Sequence, residues 1–133
     1  MEPGRIGIVS RSPALAREVE RQLSVYGLGA SKVVNVPAQG VAHLDELLRM
    51  FERHWGTDAV LILGAIDAGE EGACTEWISR HMEKPVFGFI GEADADHRQE
   101  ERLRACGVHV SRDAAGIGAL IASLVECPWL PFD

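Results

Sequence analysis

Gly4-Arg5-Ile6-Gly7-Ile8-Val9-Ser10-Arg11-Ser12, running into Pro13-Ala14-Leu15, reads as a short buried strand, an abrupt polar break and the start of a helix. Ser12 is a favourable N-cap, and Pro13 stands where proline favours a helix start. Three polar residues therefore fall between the C-terminal end of a strand and the N-terminus of a helix. In open α/β sheets ligands bind at that place, and the unpaired N–H groups of a helix start favour an anion. The anion-binding candidates are the hydroxyls of Ser10 and Ser12, the guanidinium of Arg11, and the N–H groups of Ala14 and Leu15. The competing reading is plain helix capping beside a solvated arginine.

Outward from this stretch, strand and helix patterns alternate. Leu15, Val19, Leu23 and Tyr26 recur at helical spacing, and Gly27 and Gly29 end that helix. Val33–Val36 is the second strand, and Pro37 to Gly40 break the chain. Val41, Leu44, Leu47, Leu48 and Phe51 then form an apolar helical stripe. Ala59–Leu63 is the most apolar run and predicts a strand buried on both faces. Asp67 caps the next helix, with Glu70 and Glu71 in its first turn and Cys74, Trp77, Ile78 and His81 as its expected inner face. Pro85–Ile90 is the fourth strand, Asp94–Ala105 a very polar helix with Leu103 and Cys106 as its thin apolar face, and Val108–Val110 a short edge strand. Ile117, Leu120, Ile121, Leu124 and Val125 mark the last helix. Five β-α units predict an α/β, three-layer, flavodoxin-like domain. Its five-stranded parallel sheet has the order 2-1-3-4-5, with right-handed crossovers and helices on both faces. Residues 1–133 are read as a single domain, with 127–133 as a non-helical C-terminal tail because two prolines interrupt it. Its Trp129 and Phe132 suggest packing onto the domain or a partner.

The chain has 133 residues, 47% of them apolar, enough for a packed core. A net charge of −7 argues against nucleic acid and anionic membrane as general partners. No apolar run reaches the roughly 20 residues of a membrane helix, and no basic segment feeds an apolar one at the start. Three scattered cysteines, Cys74, Cys106 and Cys127, fit a reducing compartment, so a cytoplasmic location is expected.

The segment Gly4–Ser12 resembles the start of the phosphohistidine-bearing domain of the succinyl-CoA synthetase α subunit, shared with related acyl-CoA ligases and the citrate lyase family. The resemblance extends through Gly27-Leu28-Gly29, Leu61-Ile62-Leu63-Gly64, Lys84-Pro85-Val86 and Ala105-Cys106-Gly107-Val108, in the same order and spacing. It implies a histidine after the fourth strand, in a glycine-rich loop ending Gly-His-Ala-Gly, that carries a phosphoryl group. Here Phe89-Ile90-Gly91 runs into Glu92-Ala93-Asp94-Ala95-Asp96-His97. A phosphoryl group on His97 would face a run of acids. The resemblance also implies an orienting glutamate where Ala65 stands, and a serine-glycine-threonine helix start where this chain has Ser12-Pro13-Ala14. It further implies a glycine-rich turn where Asn35-Val36-Pro37-Ala38-Gln39 is found. Proline removes an N–H and alanine a hydroxyl.

Four departures at one chemistry argue against catalysis without deciding it. The expectation is a non-catalytic, succinyl-CoA-synthetase-α-like binding or assembly module with no catalytic residue, no metal and no cofactor. Its expected partners are a second copy of itself or a ligase-like subunit. One alternative is an accessory subunit of an acyl-CoA ligase or an acyl- or carbamoyl-transfer enzyme, completed by partner chains. Another is a small protein that binds a phosphate-type anion at Ser10–Ser12. A phosphorylation receiver would need acids after strand one and an aspartate after strand three, where Ser10-Arg11 and Ala65 stand. Gly116-Ile117-Gly118 lacks the context of a dinucleotide fingerprint. His43, His54 and His81 share no metal-ligand spacing, and Asp94-x-Asp96-His97 reads as a helix start.

Overall fold

A computed structural model describes residues 5–91 and 97–125. The strands are β1 (Ile6–Ser10), β2 (Ala30–Asn35), β3 (Ala59–Leu63), β4 (Val86–Phe89) and β5 (His109–Ser111). They alternate with α1 (Pro13–Val25), α2 (Leu44–Arg53), α3 (Ala68–His81), α4 (His97–Ala105) and α5 (Ile117–Leu124), the last entered through a 3-10 turn at Ala114–Gly116. All neighbouring strands pair in parallel, in the order β2-β1-β3-β4-β5 expected from the sequence.

Strand alternation sorts the core onto two faces. Ile6 and Ile8 of β1 and Leu61 and Leu63 of β3 join Val19 and Leu23 of α1 and Ile117 and Ile121 of α5. Val9, Val60 and Ile62 point the other way, onto Leu48 and Phe51 of α2, Cys74 and Ile78 of α3 and Leu103 of α4. Gly7 lies on this second face, and Phe51 occupies the space its missing side chain leaves.

The helix starts are satisfied in two ways. Ser12 accepts from Leu15 N–H at 3.2 Å, and Asp67 accepts from Gly69 N–H at 3.0 Å, as local capping predicts. For α2 the residue at the cap position is His43, in the left-handed region at φ 53°, and it makes no side-chain cap bond. Glu70 of α3 serves instead: its two carboxylate oxygens each accept at 2.7 Å, from Ala42 N–H and Leu44 N–H. At the other end, Lys84 Nζ donates to Phe51 O and His54 O, both at 2.7 Å. An anion at its N-terminus and a cation at its C-terminus both complement the dipole of α2. Gln22 of α1 holds the start of α5 as a distant cap, accepting from Gly118 N–H at 2.7 Å and donating to Ala114 O at 2.8 Å.

Four features depart from the sequence expectation. Strand β2 begins at Ala30, earlier than Val33, because pairing with β1 extends it past the apolar core of the segment. Val41 lies outside α2 and is half exposed, since the left-handed turn at His43 separates it from the stripe. His81 is exposed and lies against the ring of Trp77, so it leaves the inner face of α3, which is Cys74 and Ile78, with partly buried Trp77 packed against the same core as expected, together with the buried carboxylates of Glu70 and Glu71. Leu124 is exposed at the end of α5. The tail 127–133, with Cys127, and the segment 92–96 lie outside the described residues.

Among the described residues, no helix is long and apolar enough to cross a membrane.

Candidate functional site

The chain winds from β1 to one side of the sheet, to β2, and then to the other, to β3, so the loops after β1 and β3 part above the sheet and leave a crevice. It measures about 370 Å³. Leu15, Leu63, Ile66 and Phe89 make its apolar part, and Arg11, Ser12, Gln39 and Asp67 its polar part. Arg11 and Ser12 of the opening stretch face Gly64–Asp67 across it.

The sequence candidates divide once placed. Ser10 is fully buried; its Oγ donates to Ser12 O at 2.6 Å and accepts from Ser12 N–H at 2.9 Å, so it shapes the turn from inside. The Leu15 N–H is held by the Ser12 hydroxyl. Ala14 is exposed in the first turn of α1. Arg11 reaches across the crevice mouth: Nε donates to Ala65 O at 2.9 Å, Nη1 to Pro37 O at 2.7 Å and Nη2 to Gly40 O at 2.9 Å. Its stem lies against Gly64, whose φ of +117° suits glycine and where a Cβ would approach Arg11 Cδ to 3.1 Å. Arg11 makes no ion pair with a carboxylate among the described residues, so its whole charge stays at the mouth.

The opposite lip is held from α4. Gln99 is buried; its Oε1 accepts from Ile66 N–H at 3.0 Å and its Nε2 donates to Ile66 O at 2.7 Å and to Glu71 at 3.0 Å. Glu71 is also paired with Arg102. The sequence alone does not reveal Gln99, Glu70 or Gln22 in these roles. The signal that exists is weak: uncharged or acidic polar residues on helix positions that share a face with buried apolar ones.

The chemistry the crevice offers is narrow. Its lining contains neither histidine nor cysteine among the described residues, and Ala65 supplies no acid or base. The His97 side chain and Asp94–Asp96 lie outside the described residues. Burial pushes the Cys74 thiol up to about 12, with Glu70 and other nearby acids adding to the effect, and burial raises Cys106 as well. Such thiols are poor nucleophiles. In folded protein at pH 8, Cys74 is expected to resist iodoacetamide and to alkylate only on unfolding. Mass mapping of a time course checks this; native labelling of Cys74 as fast as in denaturant would refute it.

The chain is similar to known CoA ligases over nearly its whole length. The α subunit of succinate–CoA ligase from Aquifex aeolicus is 34% identical over 145 residues, covering 92% of this chain and 47% of that protein. The chain is a homologue of succinate–CoA ligase α subunits. Another such homologue, from Staphylococcus aureus, is 38% identical over 127 residues, covering 93% of this chain and 41% of its own. The malate–CoA ligase α subunit of Methylorubrum extorquens is 30% identical, over 92% of this chain and 49% of its own. The chain thus spans about half the length of the curated relatives it matches. No protein-family model matches it. Its fold recurs in the dinucleotide-forming acetyl-coenzyme A synthetase 1 of Ca. Korarchaeum cryptofilum (apo form), with a TM-score of 0.69 at 18% identity over 85% of this chain and 28% of that one.

Proposed function

We propose that this homologue is a non-catalytic binding or assembly module of the CoA-ligase lineage. The observation that carries the reading is the crevice wall. Where the family resemblance calls for an orienting glutamate there is Ala65, and no imidazole or thiol lines the space among the described residues. The helix start supports it too, since Pro13 lacks an N–H and Ala14 a hydroxyl. Arg11 and Gln99 fix the lips through hydrogen bonds to main-chain groups, which suits a surface that is held and not one that cycles through a covalent intermediate.

The test is phosphohistidine formation. Incubated with labelled ATP or with acetyl phosphate, the chain is expected to take up no stoichiometric acid-labile phosphate. Stoichiometric label that disappears in His97→Ala would overturn the proposal. A second reading, an accessory subunit completed by partner chains, is favoured by its kinship with proteins named as α subunits and by its partial span of them. Ligase activity that emerges only on mixing with a partner chain would establish it. The small-anion reading rests on Arg11, with Ser12 and Ala14 beside it; calorimetry with phosphate, using Arg11→Ala as control, decides it. Ser10 and Leu15 contribute to that reading through the shape of the turn, since their donors are already used.

A further inference from the structure

Each helix of this fold returns the chain against parallel strands, so the helix ends gather below the sheet, opposite the crevice. Main-chain bonds tie this end together. Arg5 and Ile6 N–H donate to Gly29 O at 2.9 and 3.0 Å, which sets the chain after α1 beside the start of β1. Asp58 N–H donates to Arg5 O at 2.6 Å, which brings the segment after α2 to the other side of that start. Among the described residues five large apolar side chains are exposed, and four of them stand at this end. They are Val25 (72%) and Tyr26 (41%) at the end of α1, Trp55 (91%) just after α2, and Leu124 (47%) at the end of α5. Exposed apolar residues scattered singly need no explanation, whereas their concentration at one end does.

The chain that follows α5 starts from the same place. Val125 is buried in the core that holds Ile6, Leu28 and Ala59, the residues at the lower ends of β1, β2 and β3. Its φ of −100° and ψ of 129° take the chain out of the helix there. The sequence then continues Glu126-Cys127-Pro128-Trp129-Leu130-Pro131-Phe132-Asp133, with three large apolar side chains in eight residues. The two prolines bias Cys127 and Leu130 to extended backbone. Eight extended residues reach about 26 Å, more than twice the roughly 10 Å width of a helix. Tethered at this end, the segment meets it at an effective concentration on the order of millimolar, which favours it over a second copy or a free partner.

We propose that the chain's own segment 127–133 closes back under the sheet, so that Trp129 and Phe132 cover Val25, Tyr26 and Trp55. The exposed apolar end of the domain and the apolar segment that leaves it would then bury one another. The crevice lies at the opposite end and is untouched by this contact, whatever it binds.

The experiment uses the full chain, labelled with 13C and 15N. Nuclear Overhauser contacts are expected from the rings of Trp129 and Phe132 to the Val25 methyls and to the rings of Tyr26 and Trp55. In a mixture of labelled and unlabelled chain, isotope-filtered spectra, which keep only contacts between molecules, should show none of them. The double variant Trp129→Asp with Phe132→Asp should move the amide signals of Val25 and Tyr26 and the indole N–H signal of Trp55. It should leave those of Gly64–Asp67 at the crevice unmoved. Absence of the contacts in the unaltered chain, contacts of the two rings with another element instead, or contacts that appear between molecules would each overturn the proposal, the last in favour of a second copy. If the double variant fails to fold, the contacts in the unaltered chain decide it.

Discussion

Glu70→Ala is expected to lower stability by about 2–4 kcal/mol, a large loss for one polar side chain. The reason is the number of groups that depend on it. Its carboxylate is buried and accepts from both Ala42 and Leu44 N–H. It also fixes the left-handed turn at His43, a conformation that costs a non-glycine residue energy and that local capping does not support. Removing the carboxylate leaves two amides unsatisfied at the start of a ten-residue helix, too short to hold itself together. Charge-assisted bonds to buried donors lie at the strong end of the range. For a domain of this size each kcal/mol lowers Tm by roughly 3–5 °C, so a fall of ~6–20 °C is expected. Glu70→Gln keeps one acceptor but turns an NH2 toward the other amide, and should fall between. Urea melts of the three proteins check the order. A Glu70→Ala variant within about 0.5 kcal/mol of the parent would show that the bonds are replaced by water.

The same residue marks the boundary of what the sequence disclosed. Ser12 and Asp67 were recognisable as caps because their partners lie two or three positions along the chain, where spacing alone fixes the geometry. Glu70, Gln22 and Gln99 act on partners 26 to 96 residues away. Nothing in a local window distinguishes such a residue from a solvated one on a helix face. Glu70 and Glu71 read as first-turn acids facing the helix dipole, which is a true property of the sequence. Their burial depends on α2 and α4 packing beside α3, a tertiary fact. The alternation of apolar runs was enough for five strands and their order, because a parallel sheet with short crossovers leaves few topologies. The crevice was legible for the same reason: strand order places it. The state of its donors was not. Ser10 and Arg11 looked like free groups, and the structure has already committed them, Ser10 to its own turn and Arg11 to the loops on either side.

Gly7→Ala carries the second large effect, and it tests whether the core on the α2 side is as close-packed as its geometry implies. Gly7 stands in β1, flanked by Lys32 of β2 and Val60 of β3 in register. A glycine inside a strand marks a bulge or a close approach. Here both apply: the pairing with β2 shifts register between Ile6 and Gly7, and a Cβ at Gly7 would lie 2.4 Å from Phe51 Cε1 and 2.5 Å from Cδ1, far inside contact distance. Phe51 is itself fully buried, so its ring cannot swing into solvent. The added methyl must displace α2 or force the ring off its rotamer, at a cost of about 2–4 kcal/mol. Alanine also suits a strand better than glycine, by roughly 0.5 kcal/mol, and that gain is too small to change the sign. A double-mutant cycle isolates the clash. Phe51→Leu alone should cost about 1–1.5 kcal/mol through lost contact. In the pair Gly7→Ala with Phe51→Leu, the smaller side chain should accommodate the methyl, so the combined loss should fall below the sum by about 1 kcal/mol or more. Strict additivity would mean that the Gly7 penalty comes from the strand's own backbone and not from the ring that fills its place.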